Sequence, residues 1–260
     1  PECVALAEKL DAPVCSNYQH NDSFPGSHRL AMGPLGYNGS KAAMEIVAKA
    51  DVVLALGTRL NPFSTLPGYG IDYWPKAAKI IQVDINPDRI GLSKPVTVGI
   101  CGDAKAAATA LTELIGNRKL ACDDTKAARA QEIAAEKKAW ETELDGWTHE
   151  RDAFSLDMIE EAKGERTFNG GTYLSPRQVL RELEKAMPPR VMVSTDIGNI
   201  NAVANSYLRF EEPRSFFAPM SFGNCGYSLP TMIGAKLAAP ERPAVPYAGD
   251  GAGAMRMVET

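Results

Sequence analysis

Along the chain, short apolar runs alternate with stretches in which apolar residues recur every three or four positions. The first kind reads as strands buried on both faces, the second as amphipathic helices. On this pattern residues 2–10 form a helix with Val4, Leu6, Ala7 and Leu10 along one side. A strand follows at 13–15, a helix at 40–49, strands at 52–56 and 80–85, and a helix at 104–115. Short strands separated by helices pair in parallel and carry helices on both faces, which is a doubly wound sheet.

The pattern changes near residue 120. Lys126, Arg129, Glu132, Glu136, Lys137, Lys138, Glu141 and Glu143 are spaced along an Ala-rich helical stretch. Charges so distributed read as a solvated helix face, and the whole of 121–174 as a helical connector. Its Gly-rich end, 164–171, leads to Ser175 and Pro176, an N-cap followed by proline at the first helical position. A second unit then gives a helix at 176–186, a strand at 191–195, a helix from about 200, an extended 215–218, a helix at 227–237 and a strand at 244–248. The expected fold class is α/β, with two doubly wound parallel-sheet units: a Rossmann-like one over 1–120 and the beginning of another over 175–260. Both ends fall inside elements, since Pro1 is not an initiator Met and 254–260 reads as a helix just starting. An internal piece of a longer protein is expected.

Composition narrows the function classes. With 260 residues, 45% hydrophobic and 23% charged, each unit has enough apolar side chains for its own core. Lys+Arg 28 against Asp+Glu 32 gives 28 − 32 = −4, and no basic tract stands out, so no nucleic-acid partner is expected. No apolar run approaches the roughly 20 residues a membrane helix needs, and no leader opens the chain, which points to the cytoplasm and to no membrane partner. The five cysteines are scattered without a C-x-x-C pair, and Cys3, Cys15, Cys101 and Cys122 read as small buried hydrophobes in a reducing compartment. His20, His28 and His149 show no metal spacing, and only His20 is kept as a substrate-side candidate.

Ligands of open parallel sheets bind beyond the carboxyl ends of the strands. Three glycine turns of the second unit fall there. In the first, a strand runs into Gly249-Asp250-Gly251-Ala252-Gly253 and a helix. Glycines let backbone approach a phosphate, helix N–H groups are free, and Asp250 suits a hard cation; the plainer alternative is a strand-to-helix turn with Asp as a cap. The second, Asp196-Ile197-Gly198-Asn199, offers further donors or a simple N-cap from Asp196 or Asn199. The third, Gly223-Asn224-Cys225-Gly226, precedes a helix and could be only a packing turn.

In this order and separation, the three turns resemble the diphosphate-binding domain of thiamine-diphosphate enzymes of the acetolactate-synthase type. The resemblance extends to the first unit, where residues 33–37, 50–59 and 81–88 look like the family's central domain, so it covers essentially the whole chain. Residues 17–22, 65–70 and 216–227 resemble one branch, whose members act on sulfoacetaldehyde.

The resemblance implies thiamine diphosphate and Mg²⁺ as cofactors, with Asp250 as the metal ligand. Gly249, Gly251, Ala252, Gly198 and Asn199 would cradle the diphosphate. The Gly223 carbonyl would meet the aminopyrimidine, flanked by Asn224, with Cys225 beneath the bend of the cofactor. Cys225 either opens room there, where many relatives carry Met, or is a packing variant. The implied reaction adds sulfoacetaldehyde, releases sulfite and passes an acetyl group to phosphate. The activating Glu and a further metal-binding Asn would lie outside these residues, the site would be shared in a homodimer or larger assembly, and the isolated chain would be inactive. An acetolactate synthase or a 2-oxo-acid decarboxylase of the same superfamily, or a non-catalytic nucleotide-binding or oligomerisation module, are the alternatives. In the central domain no G-x-G-x-x-G follows a strand, which favours a nucleotide fold without a nucleotide over one that holds a flavin or adenine nucleotide.

Overall fold

The structure is a computed structural model that describes residues 1–118, 120, 123–149 and 176–256. Expectations for 164–171, Ser175, Cys122 and the His149 side chain fall outside them. In the first unit the elements are α1 (Glu2–Leu10), β1 (Val14–Ser16), β2 (Ala31–Pro34), α2 (Lys41–Ala48), β3 (Val52–Leu56), α3 (Pro62–Thr65), β4 (Lys79–Asp84), β5 (Val98–Cys101) and α4 (Ala104–Ile115). The long α5 (Asp123–His149) follows, then α6 (Pro176–Ala186), β6 (Met192–Thr195), α7 (Asn199–Tyr207), β7 (Phe216–Phe217), α8 (Ser228–Ala238), β8 (Ala244–Tyr247) and α9 (Asp250–Ala254).

Among the described residues the named strands pair only in parallel, as the apolar runs foretold, beside one isolated antiparallel bridge between Gly68 and Ile71. The strands of the first unit divide into a pair, β1-β2, and a separate sheet of order β3-β4-β5. Side chains fix the helix starts: Ser40 accepts the Ala43 N–H, and Asp103 accepts the Ala106 N–H, each opening its helix at the position a cap demands. In the second unit the order β7-β6-β8 means the chain leaves β6 on one side through α7 and returns on the other through α8. Helix formation near the last residues begins at Asp250, four residues before the place the sequence pattern indicated.

One apolar core joins both units. It contains Leu30, Met32 and Met44 of the first unit, Trp140 and Leu144 of α5, and Leu180, Val193, Tyr207 and Phe216 of the second. A smaller core of Ala55, Leu60 and Ile80 backs the β3-β4-β5 sheet.

The charged face of α5 is not merely solvated. Lys49 pairs with Glu132 and Glu136, Lys41 with Glu143, and the Arg129 guanidinium donates to the Asp11 carbonyl. Toward the second unit, Arg181 of α6 meets Glu141 and Asp145, and Arg209 also reaches Glu141. Charges that look evenly dispersed along the helix are thus partitioned between the two units it touches. No described helix is long and apolar enough to cross a membrane.

Candidate functional site

Parallel pairing of β6, β7 and β8 sends all three carboxyl ends to the same edge of the sheet. The turns after them, Asp196–Gly198, residues 218–227 and Ala248–Gly249, therefore face one crevice, between β6 and β8 where the strand order reverses. The β6-β8 ladder continues past its last paired residues, because the Asp196 N–H donates to the Tyr247 carbonyl at 3.1 Å.

The first two turns are tied by Asp196 itself. One carboxylate oxygen accepts the Gly226 N–H at 2.9 Å and the Ile197 N–H at 3.2 Å, and the other accepts the Ser228 N–H at 3.0 Å. Asp196 is fully buried. It therefore caps α8, not the α7 helix that follows it in sequence, where Gly198 is the N-cap and makes no side-chain bond. The Ser228 hydroxyl adds a second tie, donating to the Ser194 carbonyl at 2.8 Å and accepting the Tyr247 N–H at 3.0 Å. Arg256, just past α9, brings the third turn in by donating to the Gly226 carbonyl at 3.1 Å. Sequence reasoning missed Ser194, Ser228 and Arg256 altogether, for neither a lone serine nor an arginine after a helix carries a positional signal.

The residues expected to contact a cofactor stand open around this crevice. Gly198, Asn199, Gly223, Asn224, Cys225, Asp250 and Gly251 are exposed, and Gly249 and Ala252 partly so. At α7 the N–H groups of Asn199 and Ile200 belong to the first turn, where a helix has no internal acceptor for them. Asp250 uses one carboxylate oxygen to accept the Gly251 N–H at 2.8 Å, which leaves the other free.

The glycines differ in what their own surroundings require. At Gly36 a Cβ would stand 1.7 Å from the Phe63 carbonyl oxygen, so the protein's own packing requires glycine there. At Gly198, Gly249, Gly251 and Gly253 a Cβ would meet nothing within 4 Å. Only Gly198, at φ +129°, is also required by its backbone. Open space of this kind also surrounds Gly70, Gly102, Gly146 and Gly234, so what distinguishes the crevice is the backbone N–H groups gathered at two helix starts, which suit an anion. Among the described residues no three His, Cys, Asp or Glu side chains gather into a metal group. A lone exposed carboxylate fits Mg²⁺ that takes its remaining ligands from a diphosphate and water, the usual way this ion is held.

Two other candidates lie elsewhere. His20 is exposed between residues buried against α7, and His28 is spent on Glu8 and on the Leu30 N–H. A cavity of about 80 Å³, lined by Ser16, Asn21, Lys137 and Arg209, opens at the far end of α7, away from the glycine turns.

Comparison with known proteins agrees with this geometry. The description "Thiamine pyrophosphate enzyme, central domain" matches residues 1–111, and "Thiamine pyrophosphate enzyme, C-terminal TPP binding domain" matches residues 196–260. The chain is 69% identical over 258 residues to the sulfoacetaldehyde acetyltransferase of Alcaligenes xylosoxydans xylosoxydans, covering 99% of this chain and 43% of that protein. With the sulfoacetaldehyde acetyltransferase of Rhodobacter capsulatus it shares 54% over 259 residues, 100% of this chain and 43% of the relative. A probable acetolactate synthase large subunit of Methanocaldococcus jannaschii is 31% identical over 251 residues, 96% of this chain and 38% of the relative. The chain thus spans less than half the length of the relatives it matches. With two successive domains of one enzyme class matched in order, and the turns of the second gathered at one sheet edge, the chain belongs to the thiamine pyrophosphate enzyme family.

Proposed function

We propose that the full-length protein is a thiamine-diphosphate- and Mg²⁺-dependent acyltransferase that converts sulfoacetaldehyde and phosphate to acetyl phosphate and sulfite. The observation that carries the reading is the gathering of three glycine turns at one edge of the β7-β6-β8 sheet, beside two helix starts. The substrate is assigned from the 69% identical relative.

In this reading residues 1–120 are the central domain, 121–174 the connector and 175–260 the start of the diphosphate domain. Asp250 holds the metal through its free carboxylate oxygen. The backbone of Gly249, Gly251 and Ala252, with Gly198 and Asn199, cradles the diphosphate. The Gly223 carbonyl orients the aminopyrimidine, and Asn224 and Cys225 line the bend. The bound cofactor supplies a carbon nucleophile and an electron sink. Over the whole reaction the C–S bond breaks with its electron pair leaving as sulfite, and the two-carbon unit joins a phosphate oxygen, with no external oxidant or reductant. Phe222, 91% exposed, and Met255, 62% exposed, flank the crevice with apolar surface. That supports a site completed by a second subunit. The free thiols of Cys3, Cys15, Cys101 and Cys225 support a reducing compartment, and we assign the cytoplasm.

The test is a product assay on the full-length protein with both cofactors. Equal amounts of sulfite and acetyl phosphate from sulfoacetaldehyde and phosphate are expected. Release of CO₂ from pyruvate without sulfite chemistry would assign an acetolactate synthase instead, the reading that the 31% identical relative favours. No binding of thiamine diphosphate with Mg²⁺ by calorimetry would leave only a non-catalytic module.

A further inference from the structure

The helix that presents the Gly198–Asn199 turn is held by the other unit. Helix α7 has nine residues and is about 13 Å long, so its position decides where the turn sits. Its last carbonyls have no partner within the helix. Asn21, from the loop after β1, fills that gap: its amide donates to the Asn205 carbonyl at 3.1 Å and to the Leu208 carbonyl at 2.7 Å. Gln19 reaches nearer the turn, its amide donating to the Asn201 carbonyl at 2.7 Å while its backbone N–H donates to Asn205 Oδ1 at 3.0 Å. Asn205 passes the link on to the Tyr37 carbonyl, and the Ser206 hydroxyl to the Asn38 carbonyl at 2.6 Å.

Three features mark this contact as more than ordinary packing. Gln19, Asn21, Asn201 and Asn205 are all buried, where unpaired amides are costly and apolar side chains would pack with less risk. Gln19 has φ +60°, a left-handed backbone that a side chain rarely adopts and that persists only where the surroundings over-determine it. Among the described residues Gln19 Oε1, Asn21 Oδ1 and Asn201 Nδ2 have no hydrogen-bond partner, so the amides are held here by the donor bonds above. Directional bonds at both ends of a short helix fix its rotation and its axial setting, which apolar contact alone leaves freer.

We propose that Gln19 and Asn21 are positioning residues for the cofactor, setting α7 so that the Gly198–Asn199 N–H groups meet the diphosphate. This rests on the thiamine-diphosphate reading above. The test uses the full-length protein with Gln19→Met and Asn21→Leu, which keep shape and remove the side-chain donors while the Gln19 backbone N–H stays. Calorimetry with thiamine diphosphate and Mg²⁺ is expected to show Kd raised about tenfold, the effect of losing one or two hydrogen bonds at their ordinary strength. At saturating cofactor, kcat and the KM for sulfoacetaldehyde stay within about twofold of the parent. If either variant does not fold by circular dichroism, Ser206→Ala replaces it, expected to raise Kd about threefold with kcat unchanged. Folded variants with unchanged cofactor Kd, or with kcat lost at saturating cofactor, would overturn the proposal. Failure of the thiamine-diphosphate reading itself is distinguishable, because then the parent protein shows no binding to compare.

Discussion

Asp196 and Ser228 lie 32 positions apart, yet one carboxylate oxygen of the first takes the N–H of the second at 3.0 Å, while the other takes the Gly226 N–H at 2.9 Å. One buried side chain thereby fixes both the turn after β6 and the start of α8. Asp196→Ala takes the side-chain acceptor from three N–H groups, those of Ile197, Gly226 and Ser228, each bond being to a charged group. A loss of about 3 kcal/mol is expected in urea unfolding. Asp196→Asn keeps one acceptor and should cost about half as much. A loss below roughly 0.5 kcal/mol for the alanine variant would contradict the capping role.

Much of this arrangement was legible in the sequence, and the misses have physical reasons. Strand β3 and helix α4 match their expected bounds because an apolar run and an Asp cap are local signals. Strands β2 and β5 went unread: the first contains Gly33 and Pro34, the second Gly99, residues that weaken a strand pattern until a neighbouring strand supplies the pairing. The glycine turns could be found from spacing, since strand, glycine and helix start are contiguous. Which helix Asp196 caps could not, because the partner N–H groups arrive through the fold from 30 residues away. The same limit hid the task of Gln19 and Asn21, whose partners on α7 lie more than 180 positions downstream.

Asp250 is expected to separate cofactor binding from stability. It is exposed, and its one internal hydrogen bond, from the Gly251 N–H, survives in Asp250→Asn through the amide oxygen. Thermal stability without cofactor should therefore change by less than about 0.5 kcal/mol. Loss of the charge removes the protein's carboxylate from a hard-cation site. Calorimetry of the full-length variant should show Mg²⁺-dependent binding of thiamine diphosphate weakened about 100-fold or more. Unchanged affinity would take Asp250 out of the metal site.

The cysteines report where the cofactor lies. Burial pushes the Cys15 thiol up to about 12, and its sulfur faces the Ala43 carbonyl at 3.7 Å, so little thiolate forms there at pH 8. Cys101 and Cys225 are exposed. Alkylation by iodoacetamide, followed by peptide mass spectrometry, should label these two well before Cys15. Adding thiamine diphosphate and Mg²⁺ should slow labelling of Cys225 several-fold and leave Cys101 unaffected. Equal rates at Cys225 with and without cofactor would place that residue away from the cofactor.

Arg181 carries a pH-dependent part of the stability. It is buried on α6 and donates to Asp145 at 2.9 Å, to Glu141 at 3.0 Å and to Glu184 at 3.0 Å. Arg181→Met keeps the apolar stem and leaves Glu141 with Arg209, and Glu184 with Arg209 and Lys185; because Glu141 and Asp145 are partly exposed, the change is expected to cost about 1–3 kcal/mol at pH 7. Burial already pushes the Glu184 carboxyl above its ordinary 4.5, and the Arg181 charge is the main force opposing that rise. An acid whose folded pKa lies above its unfolded value favours the fold most when protonated. Its contribution is complete below the unfolded pKa and declines as pH rises through the folded one. Without Arg181 the folded pKa rises further, so the ionised carboxyl near pH 7 penalises the variant more than it penalises the parent. The deficit in unfolding free energy should therefore be larger at pH 7 than at pH 4.5, where the penalty is largely relieved by protonation. Urea unfolding of parent and variant at the two pH values measures it. Equal deficits would mean that Arg181 acts through packing of its stem between α5 and α6, and not through the charges it gathers.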